Sequence, residues 1–199
     1  IVSFRQLDIL DSNYNIPSSE RLALSDLFYS TGGESWHWLP VPDTVPWNFT
    51  SPSVNPCTEH WQGINCTLIA SQSEYYITEI RLPDHNLRGA LPGSMGSFVY
   101  LEYLSFRLNY LTSTIPASIG NIPRLLVLDV LGNQLTGSIP ASIGNLTQLR
   151  ILTLERNRIQ GHIPPSLGKL THLETIALGN NHLTGTFPSA LSGMQSLQH

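Results

Sequence analysis

Cys57 and Cys66 are the chain's two cysteines and stand close together in its N-terminal part. Two thiols at this spacing could form a redox centre or contribute to a metal site, but the further ligands that a structural zinc needs are missing beside them. A disulfide is the better reading, and it implies an oxidising compartment. The sequons that begin at Asn48, Asn65 and Asn145 lean the same way as glycosylation acceptors. Asp129 and Glu155 could serve as a carboxylate pair for acid–base work. Arg107, Arg156 and Arg158 make ion pairing the better expectation for both. His85, His162, His172 and His182 fall at different points of the repeat described next and define no metal constellation. The sequence has no nucleophile elbow, phosphate-binding glycine loop, H-E-x-x-H or dinucleotide fingerprint. We therefore expect no enzyme activity, no cofactor and no metal.

A strict period positions these residues. The stretch Leu125 to Pro140, LLVLDVLGNQLTGSIP, recurs with Pro92, Pro116, Pro140, Pro164 and Pro188 at a constant spacing of 24 residues. A unit of this size cannot bury its own apolar face, so units must stack into a solenoid. Units begin at Ile77, Leu101, Leu125, Leu149 and Leu173, and the start of a sixth follows. Slots four and six of each unit are apolar, which predicts a short strand stacked in parallel at roughly 4.8 Å from its neighbours. Slot nine holds Asn109, Asn133, Asn157 and Asn181, with His85 in the first unit. A stacked amide row can close the turns of a tight coil, so these asparagines read as structural. Slot thirteen is glycine except at Ser113, and a serine after each of the first four periodic prolines predicts a capped 3₁₀ turn on the outer side.

The 199 residues carry a formal charge of −4, with the acidity concentrated in residues 1–76, where Arg5 and Arg21 are the only lysine or arginine residues. No basic run points to nucleic acid or an anionic membrane. No stretch is apolar for long enough to span a bilayer. The chain starts without Met or a signal-peptide pattern, which reads as a mature or truncated segment. Residues 1–17 form an apolar extended arm in this reading. From Ser18 the sequence predicts a helix, with Ser18 or Ser19 as cap, Glu20 at the positive end, Gly32-Gly33 as the stop, and Ala23, Leu24, Leu27 and Phe28 facing the first repeat. Residues 18–76 make an N-terminal cap. Its four tryptophans, Trp36, Trp38, Trp47 and Trp61, could form a saccharide platform but read better as cap core. Residues 77–199 are the repeats.

The unit L-x-x-L-x-L-x-x-N-x-L-x-G-x-I-P, followed by x-x-[IL]-G-x-L, resembles the plant-type, 24-residue extracellular leucine-rich repeat family over Ile77 to Leu197. CTEHWQGINC and the helix before it resemble that family's paired-cysteine cap, and LFYSTGGESWHW is similar to caps from algae, oomycetes and other non-plant eukaryotes. The resemblance implies an α/β repeat solenoid. It would be a right-handed arc with a parallel concave β-sheet, a flanking short sheet, a 3₁₀ and loop convex side, and a helical, disulfide-bonded cap. It also implies an extracellular, secreted, cell-surface or cell-wall protein that recognises proteins, peptides or glycans.

Slots that the coil does not need remain for binding. Tyr103, Val127 and Ile151 make an apolar strip across adjacent repeats, which Leu108, Tyr110 and Leu131 extend. Arg107, Asp129, Glu155, Arg156 and Arg158 add charge of both signs. An aromatic and apolar centre with arginine around it has the composition of a protein or peptide interface. The alternative function is a structural module that assembles head-to-tail through uncapped solenoid ends, with the arm Ile1 to Leu10 as linker.

Overall fold

The computed structural model describes residues 15–51 and 53–191. Among the described residues one α-helix, α1 (Ser18–Ser30), precedes ten strands. In chain order these are β1 (Ile64–Ile69), β2 (Glu74–Arg81), β3 (Arg88–Ala90), β4 (Tyr103–Ser105), β5 (Tyr110–Thr112), β6 (Val127–Asp129), β7 (Ile151–Thr153), β8 (Gln160–His162), β9 (Thr175–Ala177) and β10 (His182–Thr184). The main sheet has the order β1-β2-β4-β6-β7-β9. β1 and β2 form an antiparallel hairpin with a bulge between Asn65 and Cys66, and every later pairing is parallel. A repeat without insertions keeps each slot opposite its equivalent, so Glu79, Tyr103, Val127, Ile151 and Thr175 pair in one continuous line. The cap boundary expected after residue 76 falls inside β2, which pairs with β1 from Glu74 to Ile80 and, through Glu79, Ile80 and Arg81, also with β4 of the next coil.

Ile80, Leu82, Leu104, Phe106, Leu128, Val130, Leu152 and Leu154 point inward and are completely or almost completely buried. Ile176 and Leu178, in the last coil with a described strand, are only partly buried. The flanking sheet occurs as two parallel pairs, β3–β5 and β8–β10, with a single bridge from Thr114 to Thr136 between them. Backbone hydrogen bonds still continue along this flank, from the Gln134 N–H to the Leu111 carbonyl and from the Arg158 N–H to the Leu135 carbonyl.

The asparagine row closes the turns. Asn109 Oδ1 accepts from the His85 and Leu87 N–H groups, both at 3.0 Å. Asn133, Asn157 and Asn181 accept in the same way from Leu111, Leu135 and Ile159. Each Nδ2 donates to its own coil and to the coil before it. Val130 O, for example, receives Asn133 Nδ2 at 3.0 Å and Asn157 Nδ2 at 2.9 Å. His85 has no coil before it and meets the cap instead, with Nε2 at 3.0 Å from Gln62 Oε1. Gln62 in turn clasps the Leu39 N–H and carbonyl at 2.9 and 2.7 Å. Burial pushes the His85 pKa down, while the Pro83 carbonyl and Asp84 pull it back up.

On the convex side the 3₁₀ turns Gly93–Ser97, Ala117–Asn121, Ala141–Asn145 and Pro165–Lys169 follow the periodic prolines. The serines do not cap them as expected, because proline occupies each N-cap position. Ser142 and Ser166 donate instead to the Ala117 and Ala141 carbonyls of the preceding coil, both at 2.7 Å. The coils touch at the glycine two residues on, where a Cβ added to Gly144 would lie 2.3 Å from the Ser166 carbonyl oxygen. Gly144→Ala is therefore expected to cost about 2 kcal/mol by forcing adjacent coils apart. Chemical denaturation would measure this, and an unchanged midpoint would show that the coil spacing relaxes freely.

Helix α1 covers the first coil through Ala23, Leu24, Leu27 and Phe28, all buried at helical spacing. Ser94 Oγ donates to Asp26 Oδ2 at 2.6 Å, and the Arg88 N–H donates to the Thr31 carbonyl at 2.8 Å. Neither Ser18 nor Ser19 caps the helix. Pro17 holds the N-cap position and offers no side-chain acceptor. Glu20 does not serve the helix end but turns inward, fully buried, where its Oε2 accepts from the Ile77 N–H at 2.9 Å. Gly32, with φ of 71°, allows the chain to turn sharply after the helix. Trp36, Trp47 and Trp61 are buried and pack edge-on or stacked against one another, so they are cap core rather than a platform. The disulfide joins Cys57 to Cys66 with Cα atoms 5.7 Å apart. The arm expected over residues 1–17 lies outside the described residues except for its last three, of which Asn15 accepts from the Tyr75 N–H and Ile16 is buried.

Candidate functional site: the concave sheet and its flank

The strand register lays Tyr103, Val127 and Ile151 side by side, each half-buried. Inward residues on either side fix their strands, which leaves these side chains on the opposite face of the sheet. Tyr103 does not stand free, because the Arg81 guanidinium lies over its ring at 4.3 Å from the centroid. Arg81 is itself held by Glu79 at 2.8 Å, and Glu79 also accepts from Asn65 Nδ2 at 2.9 Å. Arg81 is absent from the residues expected to bind, although its slot, one coil before Tyr103 on the same face, could have indicated it.

The next line on the face is Ser105, Asp129 and Thr153. Asp129 is committed locally. Its Oδ1 accepts from the Leu131 N–H at 3.1 Å, its Oδ2 faces Ser105 Oγ at 3.4 Å and Arg107 at 3.8 Å, and its side chain is 15% exposed. Glu155 likewise accepts from Asn180 Nδ2 at 3.1 Å and faces Arg156 at 3.8 Å. Each carboxylate thus has its own partners. Ion pairs this long and this exposed contribute at most about 1 kcal/mol, so Arg107 and Arg156 are only loosely held.

Slot eight turns the chain from the sheet to the flank, and it is left-handed in all five units: φ is 56° at Asp84, 59° at Leu108, 69° at Gly132, 56° at Arg156 and 54° at Asn180. Asp, Gly and Asn adopt this conformation readily, whereas Leu and Arg do so only at a cost of about 1 kcal/mol or more. Both costly residues are exposed, Leu108 at 48% and the Arg156 side chain at 67%. Leu108 lies across the next coil, and a Cβ on Gly132 would come within 2.9 Å of its Cδ2. Tyr110, 46% exposed, sits farther along the flank with Arg88 over its ring at 4.5 Å. Arg158, in the same slot two coils on, is exposed. The expected site residues therefore separate into a concave group of Tyr103, Val127, Ile151 and Asp129 and a group at the turn and flank. The second group comprises Arg107, Leu108, Tyr110, Leu131, Glu155, Arg156 and Arg158.

Asn48, Asn65 and Asn145 are all exposed, and Asn48 Oδ1 accepts from the Thr50 N–H in a local turn. Among the described residues no group of three or more His, Cys, Asp or Glu residues could hold a metal ion. No described helix is long and apolar enough to cross a membrane.

The leucine-rich repeat region family matches residues 84–199. A probable inactive leucine-rich repeat receptor-like protein kinase of Arabidopsis thaliana is 36% identical over 67 residues, 34% of this chain and 9% of that protein. The chain thus spans less than a tenth of the length of that relative. The ectodomain of the receptor kinase SOBIR1 from Arabidopsis thaliana has a similar structure, with a TM-score of 0.74 and 27% identity covering 93% of this chain and 91% of that one. The plant peptide hormone receptor RGFR1, solved in complex with RGF2, is 37% identical over 57% of this chain and 18% of its own, with a TM-score of 0.56. With the period, the amide row, the parallel concave sheet and the disulfide-bonded cap described above, these matches show that the chain belongs to the leucine-rich repeat family.

Proposed function

We propose that this chain is an extracellular recognition module that binds a protein or peptide across the concave sheet and the turn that borders it. The observation that supports this most directly is the left-handed turn row. Exposed Leu108 and Arg156 occupy positions where Asp84, Gly132 and Asn180 show what the backbone prefers. A scaffold alone gains nothing from that strain, whereas strained residues gather at sites that do work. The disulfide and the exposed sequon asparagines fit an oxidising, extracellular setting. The similar plant peptide hormone receptor RGFR1, solved in complex with RGF2, supports the same class of function.

Leu108→Asn provides the test because folding and binding should respond in opposite directions. Asparagine tolerates the left-handed turn, so the variant should gain about 1 kcal/mol of stability. Twelve-residue peptides selected on the wild-type chain from a random display library should lose about tenfold or more in affinity for the variant. Peptides that bind both chains equally would remove the turn row from the site. A selection that enriches no binder at all would overturn the recognition reading.

A further inference from the structure

The turn row also shows what kind of peptide would fit, an inference that rests on the recognition reading above. We infer that the site takes an extended peptide bearing two acidic side chains three residues apart, with an apolar side chain between them. The middle of the surface is the third coil. There Leu131 is half-buried, Gly132 has no side chain, and the exposed Leu108 leans over it from the coil before. The result is a low apolar shelf. Arg107 stands on one side of the shelf, in the second coil, and Arg156 and Arg158 stand on the other side, in the fourth.

The acids near these cations do not neutralise them tightly. Arg107 is 3.8 Å from Asp129, which already accepts from the Leu131 N–H, and Arg107 keeps a side chain that is 50% exposed. Arg156 is 3.8 Å from Glu155, which already accepts from Asn180, and is the more exposed of that pair. Arg158 has no ion-pair partner among the described residues. Planar guanidinium groups that keep free N–H donors are well suited to a carboxylate.

Spacing then selects the ligand. Equivalent residues two coils apart are separated by about 10 Å at the parallel-sheet repeat. One turn of an extended chain in the polyproline II form, three residues at roughly 3.1 Å each, covers about 9 Å and returns the side chain to the same face. Acids three apart can therefore reach both arginine rows at once. Their intervening side chain falls on the shelf of Leu108, Gly132 and Leu131. Adjacent acids would engage only one row, and a basic peptide would be repelled by both.

The test uses a fluorescein-labelled twelve-residue peptide with Gly-Ser flanks around Glu-Leu-Ala-Glu, titrated by anisotropy at low and at raised salt. Saturable binding is expected that weakens as salt rises and falls at least about tenfold when both glutamates become glutamine. Placing the two glutamates next to each other should produce a similar loss. Arg107→Ala and Arg156→Ala should each weaken binding several-fold, and Leu108→Asn should weaken it without changing its salt dependence. Equal binding of the glutamine peptide, or binding that both arginine variants leave unchanged, overturns the inference. If library-selected peptides depend on Leu108 but lack paired acids, the acidic-peptide inference fails while the recognition reading stands. If selection yields no binder and the acidic probe also fails, both fall.

Discussion

Asn133→Ala is expected to destabilise the solenoid by about 3 kcal/mol, read as a fall in the denaturation midpoint at unchanged slope. Asn133 is 8% exposed and lies in the middle coil. Its Oδ1 accepts the Leu111 N–H at 2.9 Å, and its Nδ2 donates to the Phe106 and Val130 carbonyls at 2.9 and 3.0 Å. Alanine would leave a buried N–H unpaired, which costs about 1–3 kcal/mol, and would remove one of two side-chain donors from each carbonyl. The carbonyls are partly protected by sharing, since Phe106 O also receives Asn109 Nδ2 and Val130 O also receives Asn157 Nδ2. That sharing makes the row interlocked rather than a set of independent clips. Asn133→Ala combined with Asn157→Ala should therefore cost more than the sum of the two, because Val130 O loses both side-chain donors together. Strict additivity would show that water replaces the amides and that the row is not a cooperative unit.

Glu20→Gln should change how stability depends on pH, by about 3 kcal/mol relative to the parent between pH 4.5 and pH 7. Burial raises the Glu20 pKa from 4.5 to about 7, against the opposing pull of the Ile77 and Val99 N–H groups and with a smaller push from Glu74. Among the described residues only the Ile77 N–H reaches hydrogen-bond geometry, and Glu20 Oε1 has no hydrogen-bond partner there. The sign follows from a folded-state pKa above the unfolded one. The native chain holds this proton more tightly, so the stabilising contribution is complete below about pH 4.5 and is lost as pH rises through about 7. Glutamine keeps an acceptor for Ile77 and cannot ionise. The difference between variant and parent should therefore grow in the variant's favour across that interval and level off above it. Denaturant titrations of both proteins at matched pH would measure the difference and cancel the other titrating groups. A difference that stays flat with pH would show that Glu20 ionises freely in the folded chain. His85 runs the other way, since burial lowers its pKa and its contribution is lost as pH falls, but it is common to both proteins and leaves the difference untouched.

Much of the fold was legible because a repeat without insertions turns one unit's pattern into three-dimensional register. Leu125, Leu128, Val130, Asn133, Leu135 and Pro140 could each be given a place in the coil from their recurrence alone. The parallel alignment of Tyr103, Val127 and Ile151 follows from the same recurrence. The cap was less legible, because it does not repeat. Nothing in the local pattern of SSERLALSDLF distinguishes a Glu20 that serves the helix end from one that reaches Ile77, 57 positions along the chain. The serines of the convex side invite a reading as caps because serine is common at that position. The partners of Ser142 and Ser166, carbonyls of the preceding coil, and that of Ser94, the Asp26 carboxylate of the cap helix, become visible only once the coils and cap are stacked.

The candidate site divides in the same way. Residue order is enough to mark which side chains the coil can spare, because every slot that must face the core or close a turn announces itself by its period. It could not determine what those spared residues do to one another. Only the stacked coils place Arg81 over Tyr103, draw Asp129 back to the Leu131 N–H and lay Leu108 across Gly132. The backbone strain at Leu108 and Arg156 was equally hidden, since the slot holds five different residue types and its left-handed turn is a property of the closed coil. The physical reason is that periodic burial is written locally, one residue at a time. Contacts across coils and the dihedral angle a turn must adopt exist only after neighbouring coils have packed.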